Sequence, residues 1–129
     1  MKAGDVIGPV KVDGIPTQTI RAWSGFLADP NPIHLDPAAV AAIGLGNQVI
    51  SQGPLNLAIV MNLLTSNLGK VQIEQLESRF VGNVFAAEPL IAQGRICAVE
   101  NDRVTCEATL EAEGRGPVIT CTATLRVVP

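Results

Sequence analysis

Gly53-Pro54-Leu55-Asn56-Leu57-Ala58-Ile59-Val60-Met61-Asn62-Leu63-Leu64-Thr65-Ser66-Asn67-Leu68-Gly69 is the stretch on which the fold turns. From Pro54 to about Leu68 it is apolar on nearly every side, with Asn56, Asn62 and Asn67 marking a narrow polar edge. A helix with such a surface either crosses a membrane or is wrapped by protein. About 15 residues at helical rise reach only ~22 Å, short of a bilayer. The stretch therefore predicts a central buried helix. Pro54 suits the first helical position, Gly53 the cap before it, and Gly69 the stop.

Beyond this helix the chain is β. Val71 to Phe85 begins with apolar residues at odd positions (Val71, Ile73) and shifts to even ones (Leu76, Phe80), which predicts a bulge or bend near Gln75. Leu90 to Val99 is long and mixed. Val104, Cys106, Ala108, Leu110 and Ala112 alternate with polar residues, as do Ile119, Cys121, Ala123, Leu125 and Val127. Strict alternation means one buried face and one wet face. Turn signals fall at Glu88-Pro89, Asn101-Asp102 and Gly114-Arg115-Gly116-Pro117. A curved antiparallel meander wrapped around a buried helix is the hot-dog architecture, an α+β fold. Another strand order fits the same pattern. The exposed edge strand of such a sheet favours pairing with a second copy, so a homodimer is expected.

Ahead of the central helix, Val6 to Val12 reads as a weak strand broken by Gly8-Pro9. Thr17 or Thr19 is a candidate cap for a helix reaching about Ala28, with Ile20, Trp23 and Phe26-Leu27 as its buried stripe. Pro30 and Pro32 stop that helix and stiffen an extended loop up to Leu35. Asp36, Pro37 and Gly44 supply the cap, first position and stop of a second short helix.

The chain has 129 residues, 47% hydrophobic and 16% charged, which suits one domain spanning residues 1–129. Net charge is -3 and no basic cluster exists, so nucleic acid is not an expected partner. Met1-Lys2-Ala3-Gly4-Asp5 has no apolar h-region and no apolar run is long enough to span a bilayer, so a cytoplasmic protein without a membrane partner is expected. Cys97, Cys106 and Cys121 are far apart in sequence and fall in strands, so they read as small buried hydrophobes in a reducing compartment. Aromatics are scarce, and any pocket is expected to be lined by Leu, Ile, Val and Ala, which suits an alkyl chain.

Two features carry chemistry. His34 is the only histidine, and Asp29 lies five residues before it across a loop stiffened by two prolines, with Asn31 between. An acid and an imidazole side by side suit general acid–base work on one water. The plainer reading is an Asx-Pro turn in which Asp29 and Asn31 cap backbone groups. One His and one Asp are too few ligands for a metal site, so neither a metal nor another cofactor is expected. The second feature is Ser51-Gln52-Gly53-Pro54. A bare N–H at Gly53, at the start of the buried helix, can stabilise negative charge developing on a carbonyl oxygen. It can equally be no more than a helix start.

Phe26-Leu27-Ala28-Asp29-Pro30-Asn31-Pro32-Ile33-His34-Leu35-Asp36-Pro37, then Ile50-Ser51-Gln52-Gly53-Pro54-Leu55, then Arg79-Phe80-Val81-Gly82-Asn83-Val84-Phe85 resemble the MaoC-like (R)-specific enoyl-CoA hydratase and dehydratase family, in order over nearly the whole chain. The resemblance implies a usually dimeric hot dog that adds water to a trans-2-enoyl thioester, or removes it, on coenzyme A or acyl carrier protein. It implies that Asp29 and His34 bind the catalytic water, that Asn31 orients the loop, and that Gly53 N–H meets the thioester carbonyl. Ser51 and Gln52 are substrate-binding candidates. Three positions depart from the pattern. Ala28 stands where the family often has Gly. Gln52 stands where it often has His and cannot titrate. Met61 falls where some members use a serine and is given no role. Lys70 and Arg79 are candidates to meet a carrier phosphate but read more simply as surface charges. A hot-dog thioesterase and a non-catalytic acyl-binding subunit are the competing functions.

Overall fold

A computed structural model describes residues 1–129. Strands β1 (Val6–Val12), β2 (Val71–Phe80), β3 (Leu90–Glu100), β4 (Arg103–Ala112) and β5 (Gly116–Val127) form one sheet in the order β1-β3-β4-β5-β2. Every pairing is antiparallel. Helices α1 (Thr17–Leu27) and α2 (Pro37–Ala42) precede α3 (Gly53–Asn67), which lies across β1, β2, β3 and β4. Val60, Leu63 and Leu64 of α3 meet Val104, Cys106, Ala108 and Leu110 of β4 and Ile119, Ala123 and Leu125 of β5 in one core. This is the hot-dog architecture that the sequence pattern predicts.

Local chemistry sets the details. In β4 each residue from Val104 to Ala112 on the even phase is buried, as strict alternation requires. The register of β2 against β5 slips between Ile73 and Gln75, the bulge the phase change predicts. Glu74 sits at that bulge on the exposed face, where it takes Arg126 Nε at 2.6 Å and Arg103 at 3.3 Å. Asp36 caps α2 by accepting Ala38 N–H at 2.9 Å, and Gly44 at φ +76° follows its end.

Several expectations are corrected. Gly8-Pro9 interrupts β1 only locally: pairing with β3 skips these two residues and resumes at Val10 after a register slip. Gly8 adopts φ +80°, and a Cβ there would come within 3.0 Å of Leu63 and 3.1 Å of Ala92 O, so the strand crosses α3 closely at a residue with no side chain. Neither Thr17 nor Thr19 caps α1: Pro16 precedes it, and its carbonyl accepts from Thr19 and Ile20. Phe26 is 79% exposed, and Ser24 takes the buried place because Gln52 satisfies its hydroxyl. Gln52, not Gly53, is the cap of α3, so Gly53 is its first residue. The β2 strand ends at Phe80 rather than Phe85, and β3 runs to Glu100.

Two larger corrections bear on function. Asn56 is not on a polar edge; it is buried and accepts the Ser51 hydroxyl at 2.6 Å. Nor is α3 enclosed on all sides. Met61 is 39% exposed and Leu57, Ala58 and Ile59 are half-buried, because the sheet covers one face of the helix only. No helix is long and apolar enough to cross a membrane.

The cysteines divide as well. Cys106 and Cys121 are buried, but Cys97 is exposed, because β3 buries its even positions Leu90, Ala92 and Ile96 and Cys97 lies on the outward phase. Burial pushes the Cys106 thiol up to about 11 and raises Cys121. A thiol reagent at neutral pH is expected to modify Cys97 alone in the folded protein, and all three after unfolding; mass spectrometry counts the adducts. Leu64 is fully buried beneath the sheet, and Leu64→Ala is expected to lower the unfolding free energy by about 2–5 kcal/mol, read from urea denaturation.

Candidate active site

Ile50 is the crossing point of the site. Ser51 N–H donates to Val84 O at 2.8 Å and Ala86 N–H to Val49 O at 2.9 Å, so Ile50 bridges Phe85 across a short antiparallel step. An extended residue sends its own N–H and C=O to the opposite side. There Ile50 N–H donates to Ile33 O at 2.9 Å, and Ile50 O accepts from the His34 ring at Nδ1, 2.5 Å away.

That contact fixes the imidazole chemically. A carbonyl oxygen only accepts, so Nδ1 carries the hydrogen, and in the neutral ring Nε2 presents its lone pair. Nε2 lies 3.4 Å from Asp29 Oδ2. His34 is 7% exposed, while the Asp29 side chain is 39% exposed, so the pair has one buried member and one at the surface.

The loop is held by its own polar groups. Ala28 closes α1 in the left-handed region at φ 52°, and Asp29 N–H returns to Ser24 O at 2.9 Å. Asp29 Oδ1 accepts Asn31 N–H at 3.1 Å, and Asn31 Oδ1 accepts Ile33 N–H at 3.2 Å. Asn31 caps a 3-10 turn, Pro32–His34, rather than the fully extended run predicted. The Asx turn and the acid–imidazole pair therefore coexist, with one oxygen of Asp29 given to each.

Gln52 joins α1 to α3. Its Nε2 donates to Ile20 O at 2.8 Å and Ser24 Oγ at 3.0 Å, while its Oε1 is buried without a partner. Gln52 and Ser51 are both buried and engaged in these internal bonds. Gly53 follows at the helix start, where its N–H has no intrahelical acceptor. A Cβ on Gly53 would meet the Phe80 ring at 3.2 Å, so glycine leaves room between that N–H and the ring.

The structure thus brings Asp29, Asn31 and His34 together, with Ile50 linking them to the segment that carries Ser51, Gln52 and Gly53. Lys70 and Arg79 belong to a different region. Arg79 lines a hollow of about 650 Å³ over the outer face of β2, β4 and β5 with Glu77, Glu107 and several threonines. No residue of the Asp29–His34 loop borders it. Beside Asp29 is a groove of about 370 Å³ lined by Arg21, Ser24, Gly25 and Ala28 of α1 with Pro30 and Leu35. Neither hollow has the aliphatic lining expected, because the aliphatic residues interdigitate in the closed core. Sequence reasoning missed Ser24, Asn56 and Arg115. Ser24 carried a signal, since it stands one turn from Ile20 on the buried stripe; the other two depend on contacts far apart in sequence.

Arg115, at the β4–β5 turn, braces the far side of Ile50. It grips Glu88 with Nε at 2.6 Å and a terminal nitrogen at 2.8 Å, donates to Asn83 O at 2.7 Å, and stacks 5.2 Å from the Phe85 ring centre. The segment from Asn83 to Glu88 is the one that Val49 and Ser51 pair with.

Residues 5–113 match the family model of the MaoC-like domain, and the chain belongs to that family. No curated protein sequence matches it. Among solved structures it is similar to the (R)-hydratase from A. caviae involved in PHA biosynthesis, with a TM-score of 0.90, 21% identity, and coverage of 99% of this chain and 98% of that one. A MaoC-like dehydratase from Rhodospirillum rubrum gives a TM-score of 0.81 and 23% identity over 100% and 95% of the two chains. The (R)-hydratase PhaJ1 from Pseudomonas aeruginosa gives 0.87 and 17% over 98% and 82%.

The Arg115 guanidinium holds the Glu88 carboxyl below the ordinary range; burial opposes this and the Phe85 N–H assists it. A depressed carboxylate stabilises the fold above its unfolded-state pKa and loses that contribution as pH falls through the folded value. Wild type is expected to exceed Glu88→Gln in unfolding free energy at neutral pH, with the gap closing below about pH 4. Urea titrations at neutral and acid pH measure it, and a gap independent of pH refutes the coupling.

Proposed function

We propose that this protein adds water to a trans-2-enoyl thioester to give the (R)-3-hydroxyacyl thioester, or runs the reverse dehydration. The observation that carries the reading is the single geometry at His34: Nδ1 committed to Ile50 O, and Nε2 turned toward Asp29 Oδ2 at 3.4 Å. Membership of the MaoC-like family supports it.

In this reading one water donates a hydrogen to each of Asp29 and His34. Its oxygen bonds to C3 of the enoyl group, one of its protons is taken by the pair, and one proton is delivered to C2. Atoms and charge balance without a cofactor. Electron density moves onto the thioester oxygen as C3 is attacked, and the Gly53 N–H with the positive end of α3 answers that charge. Asn31 is a supporting residue, since it shapes the turn that presents His34. The carrier is coenzyme A or acyl carrier protein, the setting is cytoplasmic, and the working unit is a homodimer built on an exposed edge of the sheet.

Crotonyl-CoA distinguishes the outcomes. Hydration bleaches the enoyl-thioester absorbance without releasing thiol, whereas a thioesterase releases thiol. Asp29→Asn and His34→Ala are each expected to lower kcat by about 10²–10⁴ while leaving the fold intact. Near-wild-type turnover in either variant sinks the assignment.

A further inference from the structure

Only Ile20 and Ser24 of α1 are buried, so the helix that leads to Asp29 is anchored at two points. One side chain reaches both. Gln52 Nε2 donates to Ile20 O at 2.8 Å and to Ser24 Oγ at 3.0 Å. A carbonyl oxygen only accepts, so the amide must present its nitrogen to α1. Ser24 is in turn the residue whose carbonyl holds the Asp29 N–H, at 2.9 Å. A single residue of α1 therefore separates Gln52 from the backbone of the catalytic acid.

Stability does not call for this amide. Gln52 occupies the cap position of α3, yet its side chain makes no cap bond. Helical pairing already gives Ile20 O the Ser24 N–H, and the Ser24 hydroxyl can turn to the same carbonyl. Gln52 is 2% exposed, and its Oε1 is buried without a donor. An acceptor in that state costs free energy that an apolar side chain of the same length would not. His34 is held differently, through the backbone of Ile50. The two members of the acid–imidazole pair therefore hang on separate sets of bonds, and Gln52 serves the Asp29 set.

We propose that Gln52 is a positioning residue for Asp29: by holding α1 at Ile20 and Ser24 it sets where the carboxylate stands relative to the His34 imidazole. This rests on the hydratase reading above and adds to it a residue that acts through another rather than on the substrate.

Crotonyl-CoA hydration and amide hydrogen exchange, followed by NMR, test it together. Gln52→Met keeps the length of the side chain and removes its donors. It is expected to lower kcat about ten- to a hundredfold with KM changed by less than about twofold, as a misplaced reacting group does. Ser24→Ala is expected to lower kcat in the same direction. In the Asp29→Asn background Gln52→Met is expected to cause no further loss, because residues that act through one group are not additive. The Asp29 amide is expected to exchange about tenfold faster in Gln52→Met, while the Ile50 amide, on the His34 side, keeps its wild-type rate. A kcat near wild type in both Gln52→Met and Ser24→Ala overturns the proposal and leaves the hydratase reading standing. An undiminished loss in the Asp29→Asn background, or an equal speeding of both amides, makes Gln52 a general prop of the fold and also overturns it. If Gln52→Met does not fold, Ser24→Ala carries the same measurements. If wild type does not hydrate crotonyl-CoA, the hydratase reading fails, and the two amides still decide whether Gln52 places Asp29.

Discussion

The backbone of Ile50 is the constraint from which the site is built. A single extended residue is paired on one side with the Val84–Ala86 segment and on the other with the loop that carries His34. Its carbonyl selects which ring nitrogen holds the hydrogen, and its N–H fixes the height of the loop by holding Ile33. Shift this residue by one position and its polar groups point away from the imidazole, because successive peptide groups in an extended chain alternate sides. Val49 and Ile50 are both buried.

Fastening of this segment comes from both directions. On the sheet side, Arg115 ties the β4–β5 turn to Asn83, Phe85 and Glu88. On the helix side, Gln52 ties the start of α3 to the middle and end of α1. The helix N-terminus, the imidazole and the carboxylate therefore belong to one connected set of hydrogen bonds, although the helix and the loop are separate stretches of chain. MaoC-like membership gives this arrangement its family; the bonds around Ile50 give it a physical cause.

Much of the fold was legible in the sequence. Strict alternation in β4 and β5 could not be satisfied by any helix, and the phase change in β2 located the bulge. The Asp29-to-His34 loop was legible because proline removes conformational choice at two of its positions. Less could be read where a residue's neighbours are distant in the chain. Asn56 looks solvent-facing in the sequence because helical spacing says nothing about Ser51 folding back to meet it. Phe26 looks buried because apolar character does not reveal direction, and the hydroxyl of Ser24 has a partner waiting in Gln52.

The two fasteners of Ile50 differ in one respect. Gln52 is an amide and holds α1 through hydrogen bonds that no proton disturbs, whereas Glu88 must be ionised to hold Arg115. Acid therefore does not loosen the site evenly. It removes the charge from the Glu88–Arg115 grip and leaves the Gln52 hydrogen bonds as they are.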